Sequence, residues 1–202
     1  MAAPSLSWRN LGAIFSMTIL VIADDDTVCN SVPEKRCDVL VSCGDLPDEV
    51  ILMVAQRVKC THILAVKGNH DSSGAFDSRI TDLHLNTVTV DGVTFGGFGG
   101  SWKYKPKGHF LFEQQEVDAA LETFPRVDVF VGHNSPNGIH DKADDVHIGF
   151  NAFVSYILDK HPKLFLHGHQ HKNQRTFYAG TKVLGIYGHR TLVLDENGEV
   201  TV

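Results

Sequence analysis

Thr18-Ile19-Leu20-Val21-Ile22-Ala23-Asp24-Asp25-Asp26 is an unbroken apolar, β-branched run that stops at three carboxylates. A segment apolar on both faces must be covered on both, so the run predicts a buried parallel strand of a layered α/β domain. The same pattern recurs downstream. Asp38–Ser42 and His62–Val66 are short strand-like runs, and between them residues 47–58 (PDEVILMVAQRV) carry helix marks. Pro47 suits a first turn, Asp48 and Glu49 favour the helix dipole, and Val50, Ile51, Val54 and Val58 recur at helical spacing. The unit is β-α-β. Residues 87–95 (TVTVDGVTF) alternate around Asp91-Gly92, a hairpin signal that adds an antiparallel portion. Glu113–Phe124 and Phe150–Lys160 read as amphipathic helices, each followed by a strand, VDVFVG and KLFLHG. Three further runs (QRTFYA, TKVLGIYG and RTLVLD), a turn at Glu196-Asn197-Gly198 and a last short strand complete the pattern. No repeat or linker interrupts it. The expectation is a single α/β domain over residues 17–202, a layered α-β-β-α sandwich of mixed sheets with the helices outside.

At 202 residues, 43% hydrophobic and 21% charged, the chain is large and apolar enough for one sizeable core. Its formal charge of -6 argues against a nucleic-acid partner, so an anionic substrate needs a local positive centre, which a metal can supply. The chain has 12 histidines, and histidine is the commonest metal ligand. Cys29, Cys37, Cys43 and Cys60 show no paired or zinc-finger spacing and read as reduced, half-buried packing residues of a cytoplasmic protein. Arg9 followed by the apolar run Leu11–Ala23 mimics a signal peptide, but cleavage after Ala23 would remove the first strand. Residues 1–16 therefore read as an extension of little structural role, with Met17 a second candidate start. No stretch approaches the ~20 apolar residues of a membrane span, so no membrane partner is expected.

Function is written where the strands stop. The first ends at Asp24-Asp25-Asp26, the second at Gly44-Asp45, the third at Lys67-Gly68-Asn69-His70-Asp71, and two later ones at His133-Asn134 and His169-Gln170-His171. Each piece alone is an ordinary turn or a lone polar residue. In an open α/β sheet, however, ligands bind at the carboxyl ends of strands, so five such ends in one phase can converge on a single crevice.

These residues carry a family resemblance. The order D-x-D, GD, GNHD, GH and GHxH is similar to the calcineurin-like metallophosphoesterase superfamily from Thr18 to about Leu194, and GNHD and GHQH are its specific parts. The loop GHNSPNGIHD also resembles that of the small class III cyclic-nucleotide phosphodiesterases. The resemblance implies two divalent metal ions bridged by Asp45. One would be held by Asp24, Asp45 and His171, with Asp26 where the family carries histidine. The other would be held by Asp45, Asn69, His133 and His169. It further implies a metal-bridging hydroxide as nucleophile, His70 as the residue that stabilises or protonates the leaving oxygen, and Asp71 as its support. Asn69 and His70 would also contact the substrate. The oxygen and imidazole donors suit manganese first, with iron, zinc or magnesium also possible, and Asp26 in place of histidine favours the harder ion. As a turn or helix-cap residue Asp26 would instead leave its place to water. The expected substrate is a small nucleotide-like or organic phosphodiester. A phosphomonoester on the same core, or a metal-depleted interaction scaffold like the retromer subunit of this superfamily, are the alternatives.

Other motifs read as structural. Residues 95–100 (FGGFGG) follow a hairpin and open no helix, so they predict tight backbone turns, not a nucleotide fingerprint. Residues 101–107 (SWKYKPK) form a solvated loop or a lid over a phosphate, with Lys105 a candidate substrate contact. His140, Asp141 and His147 lie in the loop after the fourth motif, where they either read the substrate, with His140 the candidate contact, or face water. His167 reads as a packing residue, and His62, His84, His109, His161 and His189 have no motif context.

Overall fold

The computed structural model describes residues 16–195 and the backbone of 200–201. The expected extension therefore lies outside the described residues except for Ser16, and so does the turn at Glu196-Asn197-Gly198. The first strand, β1 (Ser16–Ala23), is followed by β2 (Val39–Ser42), helix α1 (Asp48–Arg57), β3 (His62–Ala65) and the two-residue β4 (Thr81–Asp82). Next come the hairpin strands β5 (Thr87–Val90) and β6 (Val93–Phe98), the short β7 (Ser101–Trp102) and β8 (Leu111–Phe112), then α2 (Gln114–Glu122) and β9 (Val129–Gly132). The chain continues through α3 (Asn151–Lys160), β10 (Leu164–His167), β11 (Gln174–Tyr178), β12 (Thr181–Gly185), β13 (Gly188–Asp195) and β14 (Val200–Thr201).

Two six-stranded mixed sheets result. One has the order β14-β13-β1-β2-β3-β4, with β1, β2 and β3 parallel, and the other has the order β11-β12-β10-β9-β6-β5, with β12, β10, β9 and β6 parallel. The two-residue alternation of a strand divides β1 between two cores. Ile19, Val21 and Ala23 face the second sheet together with Val39, Val41, Leu64, Val129, Val131 and Leu166. Leu20 and Ile22 face outward and are covered by Val50, Ile51 and Val54 of α1. On the far side, Phe130 and Phe165 stack with centroids 4.9 Å apart under Phe153, Tyr156 and Ile157 of α3 and Val117 and Leu121 of α2. The α-β-β-α layering is therefore as expected, because each central strand is apolar on both faces.

Three local features refine the expected pattern. The hairpin turns at Asp91 (φ 46°) and Gly92 (φ 84°), the two positive φ values that a two-residue turn requires. The strand after it does not break at Gly96-Gly97 as expected, and β6 runs through both to Phe98. A Cβ on Gly97 would meet the Val131 carbonyl of β9, so the glycine there permits close strand approach instead of turning the chain. Finally, Cys37, Cys43 and Cys60 are buried and only Cys29 is half-buried, all four as free thiols. Among the described residues no helix is long and apolar enough to cross a membrane.

Candidate metal centre

The carboxyl ends of β1, β2, β3, β9 and β10 lie along one edge of the sandwich, where the loops after them meet. Asp24, Asp45, His169 and His171 all have left-handed backbone, with φ of 61°, 56°, 64° and 49°. Non-glycine residues rarely adopt this region, at a cost of order 1–3 kcal/mol each, and such residues cluster at functional sites. Turning sharply at the strand end is what aims each side chain back into the crevice.

Asp45, His133 and His169 each present a ligand atom within 4.8 Å of the others. Asp45 Oδ2 lies 3.4 Å from His133 Nε2, and Asn69 Oδ1 lies 3.0 Å from the same nitrogen. The backbone sets both imidazoles. His133 Nδ1–H donates to the Cys43 carbonyl at 2.8 Å and His169 Nε2–H to the Val146 carbonyl at 3.3 Å, which leaves a lone pair on His169 Nδ1 and, whenever the His133 ring is neutral, on His133 Nε2. Buried acceptors from Asp45, Asn69 and His133 then face one another, an arrangement that only a proton or a cation reconciles. The donor set is oxygen and imidazole without thiolate, which fits a hard-to-borderline divalent ion. Glycine makes the room, since a Cβ on Gly68 would overlap the Asp45 carboxylate and the His133 ring.

The side chain of Asp24 is buried beside this cluster. Both of its oxygens accept the His169 backbone N–H, at 3.2 and 2.9 Å, and Oδ1 lies 3.8 Å from Nε2 of the half-exposed His171. Burial drives the Asp24 carboxyl up to about 7, against the pull of His133 and with the help of neighbouring Asp45. Burial opposes ionisation of Asp45 too, but His133 and the His70 backbone N–H outweigh it and hold that carboxyl well below its usual range. His133, though buried, is pushed up to about 9, chiefly by Asp45, whereas burial and the charge on His133 lower His169 to about 3. Negative charge is thus packed where water cannot screen it, and a positive ion relieves it.

The remaining expected residues divide. His70 is exposed, donates its backbone N–H to Asp45 Oδ1 at 2.8 Å, and lines a cavity of about 520 Å³ together with Asp26, Asp45, Asp71 and the buried Lys67. The Asp71 carboxylate turns to the backbone, its Oδ2 accepting N–H from Asp45 and Gly68 at 2.9 and 2.7 Å. Asp26 is exposed on the cavity wall and lies outside the three-residue cluster. The turn after β1 is capped by Asp25 instead, whose Oδ1 accepts from the Thr27 N–H and hydroxyl at 3.0 and 2.7 Å.

His140 and Lys105 are not brought to the cluster. His140 Nδ1 bonds His167 Nε2 and its Nε2 bonds Thr176 Oγ1, each at 2.9 Å, so both ring nitrogens are spent on protein. His167, donating Nδ1–H to the Gly168 carbonyl, is a buried packing histidine whose desolvation lowers it to about 3. Lys105 is exposed, its Nζ 5.0 Å from the Tyr104 ring centroid.

Three more residues stand at the site, and of these sequence reasoning gave Gln170 no role. Gln170, inside GHQH, is 1% exposed and donates from Nε2 to Ser135 Oγ and to the His147 carbonyl, each at 3.0 Å, tying two loops to the motif. His147, pinned at Nδ1 by Asp144, lays its ring 5.2 Å from that of His169. Tyr104 places its hydroxyl 3.4 Å from Asn69 Nδ2. Gln170 could have been suspected from its place between two histidines, whereas His147 and Tyr104 lie in the two loops that the sequence offered as substrate-facing, without their partners being legible there.

The sequence matches the calcineurin-like phosphoesterase family over residues 14–173. No curated protein sequence matches it significantly. Among solved structures the chain is similar to the protein TT1561 of Thermus thermophilus, with a TM-score of 0.59 and 12% identity over 93% of this chain and 98% of that one. It is similar also to a phosphopantetheinyl hydrolase from Mycobacterium tuberculosis, with a TM-score of 0.57 and 16% identity over 84% and 89% of the two chains. A zinc complex of Vps29 from Entamoeba histolytica aligns with a TM-score of 0.50 and 12% identity over 92% and 96%. At such identities the likeness is one of fold, while the family match spans most of the chain and includes all five strand-end motifs, so the chain belongs to the calcineurin-like phosphoesterase family.

Proposed function

We propose that the protein is a metal-dependent phosphoesterase, with a small nucleotide-like or organic phosphodiester as its substrate. The observation that supports this most directly is the convergence of Asp45, Asn69, His133 and His169 beside the buried Asp24 carboxylate, a donor set that a cation can occupy in place of the His133 proton and that borders, at Asp45, a cavity of small-molecule size. Two divalent ions, manganese foremost, would neutralise phosphoryl oxygens and lower the pKa of a water when bound. Asp45, Asn69, His133 and His169 would hold one, and Asp24, Asp45 and His171, with Asp26 completing the set, the other.

The chain's own groups supply the rest. Asp45 would be shared by the two sets, and the N–H of His70 and the carboxylate of Asp71 hold it by its side chain and its backbone. His70 stands on the exposed lip, where its imidazole can donate to the oxygen of the leaving group. Lys67, buried and paired with Asp48 at 3.2 Å, adds a positive charge to the cavity wall. Because the donors are pre-aligned by backbone bonds, little reorganisation accompanies substrate binding.

The test is to strip metal by chelation, restore manganese, iron, zinc or magnesium separately, and compare an aryl phosphodiester with the corresponding monoester. Manganese-dependent hydrolysis with the diester preferred is expected. Preference for the monoester would overturn the diesterase assignment, and hydrolysis of neither ester with any ion would favour an interaction scaffold.

A further inference from the structure

Between β7 and β8 the chain makes a loop whose base is clamped. The two strands pair in parallel, the Ser101 N–H donates to Phe110 O at 2.9 Å and the Lys103 N–H to Phe112 O at 3.1 Å, and Lys103 Nζ pairs with Glu113 at 3.2 Å. Directly beneath, the Gly100 N–H donates to Lys67 O at 2.7 Å. The loop is thus seated on the segment that carries Asn69, and it delivers the half-buried Tyr104 there.

The two ends of the Asn69 amide are then held by different parts of the fold, Oδ1 facing His133 Nε2 at 3.0 Å and Nδ2 donating to Tyr104 Oη at 3.4 Å. A tyrosine hydroxyl has one proton to give and lone pairs to accept with. Among the described residues Asn69 is the only hydrogen-bond partner of this hydroxyl, and the bond uses a lone pair, so the proton remains to be given. Lys105 Nζ lies 5.0 Å from the centroid of the same ring, a cation over its face.

We propose that Tyr104 is a positioning and substrate-binding residue of this site, accepting from Asn69 to hold its Oδ1 towards the metal and donating its own proton to a phosphoryl oxygen of the ester. The proposal rests on the phosphoesterase reading above. It has a consequence that simple ligand packing lacks. A hydroxyl whose proton is spent on a phosphoryl oxygen can meet Asn69 only as an acceptor, which selects the amide orientation that presents oxygen to the metal. Phosphate binding and metal binding therefore reinforce each other, and by linkage the effect is reciprocal.

The experiment compares wild type with Tyr104→Phe, which keeps the ring and removes only the hydroxyl. Manganese affinity is measured by calorimetry with and without inorganic phosphate, and turnover of an aryl phosphoester is measured alongside. In the wild type, phosphate should tighten manganese binding several-fold. In Tyr104→Phe that enhancement should vanish, with kcat lower by about tenfold, the scale of one hydrogen bond to a charged group. Equal manganese affinities in the two proteins with and without phosphate, together with equal turnover, would overturn the proposal. Loss of the phosphate enhancement in a protein whose wild type hydrolyses no ester would leave the Tyr104 assignment standing as a binding role and remove the phosphoesterase reading instead.

Discussion

The carboxylate of Asp71 holds the backbone of Asp45 in place, its Oδ2 accepting the Asp45 N–H at 2.9 Å. The same oxygen accepts from Gly68 at 2.7 Å, so one atom joins the loops after β2 and β3. Burial raises the Asp71 carboxyl, and the two N–H donors partly offset that.

Replacing Asp71 by alanine would leave two N–H groups without a partner in a partly buried site. Each such group costs about 1–3 kcal/mol, so Asp71→Ala should lose roughly 2–6 kcal/mol of stability in urea denaturation and bind metal weakly. Asp71→Asn keeps an acceptor oxygen at the same place and should retain most of the stability. Equal loss in both variants would show that the negative charge matters and not the acceptor geometry.

Asp26 stands on the cavity wall at the position where the resemblance leads one to expect histidine. Asp26→His should keep hydrolytic activity and move the metal preference from manganese towards softer ions such as zinc, because imidazole replaces a hard carboxylate oxygen. The check is a metal titration of both proteins. An identical metal profile would mean that residue 26 is not a ligand.

Away from the site, Asp128 links the two halves of the second sheet. Its Oδ2 accepts from the Thr94 N–H at 3.0 Å and hydroxyl at 2.7 Å, and Oδ1 lies 3.2 Å from Lys163 Nζ. Burial opposes its ionisation, but the Thr94 donors and Lys163 prevail and hold the carboxyl below its ordinary 3.8. A carboxyl lowered by folding stabilises the protein fully above its unfolded pKa, and that stabilisation is lost as pH falls through the folded value. Asp128→Asn should therefore lower stability at neutral pH and flatten its fall below about pH 4, read from urea midpoints across pH. Parallel curves for variant and wild type would contradict this.

Much of the architecture was legible in the sequence because burial on both faces leaves continuous apolar runs. β1, β2, β3, β9 and β10 were all readable that way, and the Asp91-Gly92 turn announced its own geometry. The amphipathic stripes of α1, α2 and α3 did the same at helical spacing. The strand-end motifs were legible for a related reason, since polar residues that follow an apolar run mark where the sheet meets solvent. What the sequence could not show was anything decided by a partner far along the chain. The glycines of β6 look like turn residues until Val131 is placed beside them, and the two-residue strands β4, β7 and β8 carry no periodicity at all. Asp45 and His133 are 88 positions apart and Asp24 and His169 are 145 apart, and their distances, their tautomers and the positive φ values that aim them exist only once both sheets are packed. The sequence by itself determined which chemical groups are available and at which strand ends they emerge. Only the tertiary structure decided that Tyr104 meets Asn69, that Asp25 and not Asp26 caps the first turn, and that His140 turns to His167, because hydrogen bonds between distant loops follow from packing, which local composition does not encode.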